Sequence, residues 1–276
     1  MLLWEIINSI ESVAPRSAQE QWDNSGMQVG DTGRDIRSVL LTTDVTPEVV
    51  NEAVIHHCEL IVSHHPLLFH GLKQVCGATP QERVVAMAIK HDIAIYSAHT
   101  SLDSVAGGIN TRLAERLGVT DIRPLRPEIS LPVGQGQGEP SWLGVIGTLP
   151  EPMEFDSFLK RVRDTLHTTY IRYTLPPALS SSPAGNGRVK SVALCGGSGA
   201  EFIPDAIRMG ADVYITADCK YHEFQAADGR IGLVDIDHWV SEHHCREIFR
   251  DILTPLGLQC RISTSDHTPV CVLCER

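Results

Sequence analysis

The sequence predicts an α/β protein made of two similar units, and three observations lead there. Short apolar runs alternate with amphipathic helical stretches along most of the 276 residues, the pattern of parallel strands covered by helices on both faces. The second half repeats the first. With an offset of 153 and no gap, Arg37-Ser-Val-Leu-Leu lies over Lys190-Ser-Val-Ala-Leu, and Glu59-Leu-Ile-Val-Ser lies over Asp212-Val-Tyr-Ile-Thr. Such a match indicates two three-layer α/β units from an internal duplication. Finally, three apolar runs end in imidazoles or carboxylates, at the strand ends where α/β sheets place ligands.

Taken in order, residues 2–13 read as an amphipathic helix carrying Glu5 and Glu11, which is neither a signal peptide nor a membrane span. The loop Gln21-Trp-Asp-Asn-Ser-Gly-Met-Gln-Val-Gly30 has turn chemistry. A strand follows at 38–44, then a helix opened by Thr46 as cap and Pro47 at its first position. Further strands are expected at 60–63 and 93–97, with helices at 80–91 and 105–117. The second unit should begin with a strand near 143, a helix at 153–166 and a strand at 168–173. The units are placed at 1–125 and 126–264, the first completed by a C-terminal strand at 265–276. Arg126 to Pro140 is rich in Gly, Pro and Gln, and 175–188 is expected to be a mobile loop.

The chain carries 23 Lys and Arg against 34 Asp and Glu, a net charge of −11. That balance argues against nucleic-acid binding, which needs a basic face. The eight cysteines are scattered, mostly inside apolar runs, as suits reduced thiols in a cytoplasmic protein. Cys271 and Cys274 have the gap of a zinc or redox pair, but no second pair exists, and their apolar neighbours read as a terminal strand.

The chemistry is expected from three patches: His64-His65 after one strand, Ser97-Ala-His99-Thr-Ser-Leu-Asp103 after another, and Asp235-Ile-Asp-His238-Trp-Val-Ser-Glu242 after a third. Adjacent residues on a regular strand face opposite ways, so His64 and His65 reach one centre only if the chain turns, which Pro66 favours. The bland alternative makes one of them a satisfied strand-end group and the other a solvated ring. A mixed nitrogen and oxygen set suits zinc, iron or manganese. Five candidates, His64, His65, Asp103, His238 and Glu242, exceed one tetrahedral zinc with an open position and suit two divalent metal ions sharing carboxylates. A centre of about +2 would attract hydroxide or an anionic substrate. His99 is a further ligand, an orienting group or a general acid/base, and His222 is a proton shuttle or part of a solvated helix start. His56, His57, His243 and His244 are read as structural or solvated. Asp44 either lines the same cleft or caps the next helix.

The motifs Trp22-Asp-Asn-Ser-Gly-Met-Gln-Val-Gly, Asp44-Val-Thr-Pro-Glu-Val-Val, Ser63-His-His-Pro, His99-Thr-Ser-Leu-Asp, Lys220-Tyr-His and His238-Trp-Val-Ser-Glu, in this order, resemble the YbgI-like family named for NGG-one-interacting factor three, whose members are often labelled GTP cyclohydrolase I type 2 homologs. The resemblance implies two intertwined α/β units with a dinuclear metal centre between them, and a toroidal homohexamer with sites facing an inner cavity. It places the metal ligands on the same five residues. Asp237 stands where the family usually has Gly, and Trp239 where it often has Tyr. The expected function is a metal-dependent hydrolase acting on a nucleotide or phosphate-bearing metabolite. The alternatives are a non-catalytic metal-binding adaptor or metal-handling ring, and metal that merely stitches the halves together. No cysteine-rich zinc signature of the cyclohydrolase kind is present, and no motif reads guanine.

Overall fold

A computed structural model describes residues 1–131, 138–179 and 187–273. The chain opens with helix α1 (Leu3–Glu11), strands β1 (Gly26–Val29) and β2 (Ser38–Thr42), α2 (Pro47–Ile55), β3 (Leu60–Ser63), α3 (Pro80–Lys90), β4 (Ala94–Ser97) and the short α4 (Thr100–Asp103). It continues with α5 (Ile109–Arg116), β5 (Thr120–Pro124), β6 (Val145–Glu154), α6 (Phe155–Leu166), β7 (Arg172–Tyr173) and β8 (Arg188–Ser198). Then come α7 (Ile203–Arg208), β9 (Val213–Ala217), α8 (Tyr221–Ala226), β10 (Gly232–Ile236) and α9 (His238–Glu242), and last α10 (Cys245–Leu253) and β11 (Gln259–Ile262).

The first unit comprises Met1–Val105 and Cys245–His267. Its sheet has the order β1-β4-β3-β2-β11. The four strands from β4 to β11 are parallel, and β1 is antiparallel on the edge. Strands of a covered parallel sheet are apolar on both faces. Leu40, Ile61 and Ile95 pack with Val49, Val50 and Ala53 of α2 and Val84, Val85 and Ala88 of α3. Val39, Leu41, Leu60, Val62 and Tyr96 are equally buried and point to the other face. There α1 packs on α10, and the Tyr96 hydroxyl donates to Glu11 Oε1 at 3.1 Å. Thr46 and Thr79 cap α2 and α3, each with Pro at the first helical position.

The second unit, taken from described residues between Ala106 and His244 with the segment from Thr268, has the sheet order β5-β6-β8-β9-β10-β7. Alternation along β8 divides its core. Val192 and Leu194 join Leu113 of α5 and Phe158 and Val162 of α6. Ala193 and Cys195 join Phe202, and Ile203 and Ala206 of α7. In each unit three consecutive parallel strands carry an antiparallel strand on the outer edge, β1 on β4 in the first and β7 on β10 in the second. This is the mixed α/β architecture expected.

Several expected boundaries move. The first unit ends after Val105 rather than 125, so α5 and β5 belong to the second, while α10 and β11 return to the first. The expected helix over 105–117 is shortened to α5, because Gly107 takes φ +73° just before it. The strand completing the first sheet is β11, not 265–276; no described residue beyond Ile262 is in a strand. The reason is Glu52. Its buried carboxylate accepts from the Ser263 hydroxyl at 2.7 Å, from Thr264 N and Oγ1, each at 3.0 Å, and from Ser265 N at 2.9 Å. These groups turn onto a carboxylate instead of extending a ladder. The central part of the 175–188 loop, most of 126–140 that follows Leu131, and Cys274 lie outside the described residues.

Burial opposes the Glu52 charge, but the hydrogen bonds from 263–265 outweigh it and hold the carboxyl at about 2, below the ordinary 4.5. A depressed folded-state pKa stabilises the fold above the unfolded value and loses that contribution as pH falls through the folded one. Glu52→Ala should therefore cost about 2–4 kcal/mol at pH 7. The gap from wild type should narrow between about pH 5 and pH 2; urea unfolding at both ends of that range measures it.

Candidate functional site

The register of the first sheet brings its chemistry to one rim. Thr42, Ser63 and Ser97 pair in a single row at the ends of β2, β3 and β4. Two residues beyond that row lie Asp44, His65 and His99. The Ser63 and Ser97 hydroxyls are 2.7 Å apart, and Ser63 Oγ donates to the His65 carbonyl at 3.0 Å. Backbone bonds from His64 N to Thr42 O and from His65 N to Thr43 O hold the chain as it bends after β3. Both rings can then turn towards one place. The imidazole nitrogens of His64, His65 and His99 lie within 4.8 Å of one another, with ring centroids 4.9 to 5.5 Å apart. Asp103, buried in α4, places Oδ1 3.7 Å from His64 Nε2. That is too far for a hydrogen bond and suits two donors facing a common ion.

Each ring is fixed from behind. His64 Nδ1 donates to the Ala98 carbonyl at 2.9 Å, His65 Nδ1 to Asp44 Oδ1 at 2.8 Å and His99 Nδ1 to Asp23 Oδ1 at 2.8 Å. A carbonyl or an ionised carboxylate can only accept, so the proton sits on Nδ1 and the lone pair on Nε2. The Asp23 side chain is fully buried. Burial opposes its charge, but the His99 hydrogen bond, the His99 charge and the Thr100 hydroxyl together hold its carboxyl well below the usual carboxylate range. Ser25 Oγ and the backbone amides of Asn24 and Thr100 add three further donors.

The second unit presents His238 and Glu242 on one face of α9, where an i, i+4 spacing brings Nε2 within 3.0 Å of Oε2. Asp237 caps this helix by accepting from Val240 N at 3.1 Å. His238 Nδ1 donates to Asp218 Oδ2 at 2.7 Å, the same anchoring as in the first unit. Asp218 follows β9 in a left-handed conformation, φ +58°, which a non-glycine residue adopts at a cost. The bond to His238 lowers its pKa. Burial disfavours a charged His238 ring, yet the Glu242 carboxylate and the Asp218 bond raise it to about 11. Gly197, φ +64°, leaves room for Glu242: a Cβ there would collide with the carboxylate.

His222 lies exposed on α8, bonded through Nδ1 to Gln225 Oε1 at 3.1 Å. His56 and His57 are exposed at the end of α2. His243 stacks on Trp239 at 4.5 Å. His244 is buried, donates from Nε2 to the Ile109 carbonyl, and is pushed down to about 3 by burial, so it is a neutral structural ring. Asp23 and Asp218 did not stand out in the sequence. Asp23 was hidden in a loop that reads as turn chemistry, whereas the offset of 153 that aligns the halves sets Asp218 over His65.

The donor set fits divalent transition metals. Imidazole nitrogens with locked tautomers and carboxylate oxygens suit zinc, iron or manganese, and the carboxylates behind the rings are the partners metal-bound histidines ordinarily have. Cys58, Cys76, Cys219, Cys260 and Cys271 are free thiols, and no described cysteine joins either group. No described helix is long and apolar enough to cross a membrane.

Known proteins share this fold and resemble this sequence. The sequence profile of the Duf34/NIF3 (NGG1p interacting factor 3) family matches residues 1–269. A Clostridium perfringens protein named GTP cyclohydrolase 1 type 2 homolog is 36% identical over 251 residues, covering 88% of this chain and 87% of its own. NIF3-like protein 1 of Drosophila melanogaster is 35% identical over 219 residues, 79% of this chain and 70% of its own. The crystal structure of a Bacillus cereus protein related to NIF3 superposes with a TM-score of 0.86 over 99% of both chains at 24% identity, a likeness of fold. With the profile running from the first helix past the last strand, the chain belongs to the Duf34/NIF3 family.

Proposed function

We propose that this protein is a metal-dependent hydrolase acting on a nucleotide or another phosphate-bearing metabolite, with two divalent ions of the zinc, iron or manganese kind held by His64, His65, Asp103, His238 and Glu242. The observation that carries the reading is the shared anchoring of His64, His65, His99 and His238 through Nδ1. It orients four buried or half-buried rings so that Nε2 is the atom left to meet a metal, the arrangement metal-bound histidines ordinarily have. The ligand count supports sharing. His238 and Glu242 supply two donors, too few by themselves for a tetrahedral site. Bound there, the ions would supply water acidified towards neutral pH and positive charge for an anionic substrate group.

The chain's own residues supply the rest. His99, backed by the ionised Asp23, can take a proton at Nε2 and pass it on. His222, exposed on α8, is the proposed carrier between the site and solvent. Ring opening of GTP, suggested by the name of the Clostridium relative, is one special case of such hydrolysis. The proposed compartment is the cytoplasm, in keeping with free thiols at Cys58, Cys76, Cys219, Cys260 and Cys271. The proposed assembly is a homohexameric ring with its sites on an inner cavity, following the family resemblance.

Protein purified without chelator should carry about two ions per chain by mass spectrometry. His64→Ala and Glu242→Ala should each lower the total below one if the ions share ligands, whereas a loss of only one ion apiece would indicate separate sites. Folded protein that holds none and reloads none would overturn the reading. Two ions without turnover in a broad screen of nucleotides and phosphoesters would leave a metal-binding adaptor. Asp44→Asn and Asp218→Asn should each weaken metal affinity about 10- to 100-fold with unchanged circular dichroism. Light scattering should give the mass of six chains, and a monomer would remove the ring.

A further inference from the structure

Two large aromatic side chains stand exposed beside the first group of histidines. Trp22 is 59% exposed and Phe69 is 42% exposed. Their rings meet edge to face at 5.8 Å and 62°, and each meets His99 edge to face, at 6.0 and 6.2 Å. The arrangement is held by the backbone. The Asn24 side-chain amide donates to the Leu68 carbonyl at 2.8 Å, and Leu68 N donates to Gln28 Oε1 at 3.0 Å. The loop carrying Trp22 is thereby tied to the residue next to Phe69. Asp23, adjacent to Trp22, is locked to His99 and Thr100. The backbone beneath both rings is thereby held beside the candidate metal ligands.

We infer that Trp22 and Phe69 form a stacking platform for a planar heteroaromatic ring, so that the substrate class is a nucleobase-like ring joined to an anionic group. Packing alone does not account for the pair. A tryptophan that merely buttressed His99 would bury its faces, since an apolar ring left in water forgoes its hydrophobic contribution. Here the rings meet edge to face with one another and with His99, and Phe69 meets His70 in the same way at 4.9 Å, yet Trp22 and Phe69 keep 59% and 42% of their surface exposed. An aromatic face binds any flat base through stacking, without base-specific hydrogen bonds, which agrees with the absence of any motif that reads guanine. The negative charge of the substrate would fall to the metal ligands and the planar ring to Trp22 and Phe69. This assignment rests on the metal-hydrolase reading for the anionic half of the substrate, whereas the ring contact can be measured without turnover.

The test is calorimetric titration of the full chain, as purified with its metal, with GMP, UMP and ribose 5-phosphate. Wild type should bind both nucleotides at least ten-fold more tightly than the sugar phosphate. Trp22→Leu with Phe69→Leu should weaken nucleotide binding roughly 5- to 150-fold while leaving ribose 5-phosphate affinity and metal content unchanged, and Trp22→Phe should retain most of the nucleotide affinity. Equal binding of all three probes by wild type, failure of the nucleotides to bind, or unchanged nucleotide affinity in the double variant would overturn the platform. So would a double variant that loses metal together with all three probes, because the rings would then be supports for His99. Ring-selective binding with no hydrolysis would leave the platform standing and sink the hydrolase; hydrolysis indifferent to the two leucines would do the reverse.

Discussion

The parallel register of β2, β3 and β4 is the constraint on which the first unit's chemistry depends. Because Thr42, Ser63 and Ser97 end in one row, the residues that follow them emerge at one rim, and short polar loops there are spared from pairing. The core underneath makes this register unambiguous. A slip of one residue would send Leu40, Ile61 and Ile95 to the opposite face and expel them from the packing with α2 and α3. The same slip would break the alignment of Asp44 with His65 and of Ala98 with His64. Hydrophobic packing therefore fixes a polar geometry that it never touches.

That geometry concentrates groups that would each be costly alone. A buried carboxylate or an imidazole without partners loses hydration that nothing returns. Asp23 recovers it through donors from His99, Thr100, Ser25 and Asn24, and Glu52, in the same unit, does so through 263–265. The two serve different ends. Glu52 ends a strand and fastens a segment, whereas Asp23 is satisfied in a way that leaves the His99 Nε2 face clear. In the second unit, Asp218 accepts backbone strain to reach His238, and Gly197 gives up its side chain so that Glu242 can lie against it.

Elements with strong local signals were legible from the sequence. Thr46-Pro47 and Thr79-Pro80 announce α2 and α3, and the runs at 60–63 and 94–97 have no polar residue before their last position. The i, i+4 spacing of His238 and Glu242 leads directly to their contact on α9. What escaped is non-local. β1 is bracketed by Gly26 and Gly30, both at positive φ, so it reads as a turn, and only its pairing with β4 makes it a strand. The clamp of Glu52 on 263–265 joins residues more than two hundred positions apart, which no local pattern can reveal. Asp23 was overlooked because Asp, Asn and Ser in a loop ordinarily satisfy their own backbone; its role emerges only when β4 delivers His99.

The contrast between His244 and His238 separates structural from functional histidine on a single stretch of chain. His244 is wholly buried and neutral, its Nε2 proton committed to the Ile109 carbonyl and its lone pair left on a buried Nδ1. His238 lies six residues earlier, commits Nδ1 instead, and turns Nε2 to a carboxylate. Glu242 and Asp218 favour positive charge on its ring, and a metal taking the place of an Nε2 proton would keep positive charge between the same two carboxylates. The carboxylates thus have one electrostatic demand that either a proton or a metal can meet. Charge alone would allow a lysine at 238, but a lysine could not accept the Nδ1 anchoring that aims a lone pair, and imidazole is the side chain that satisfies both conditions.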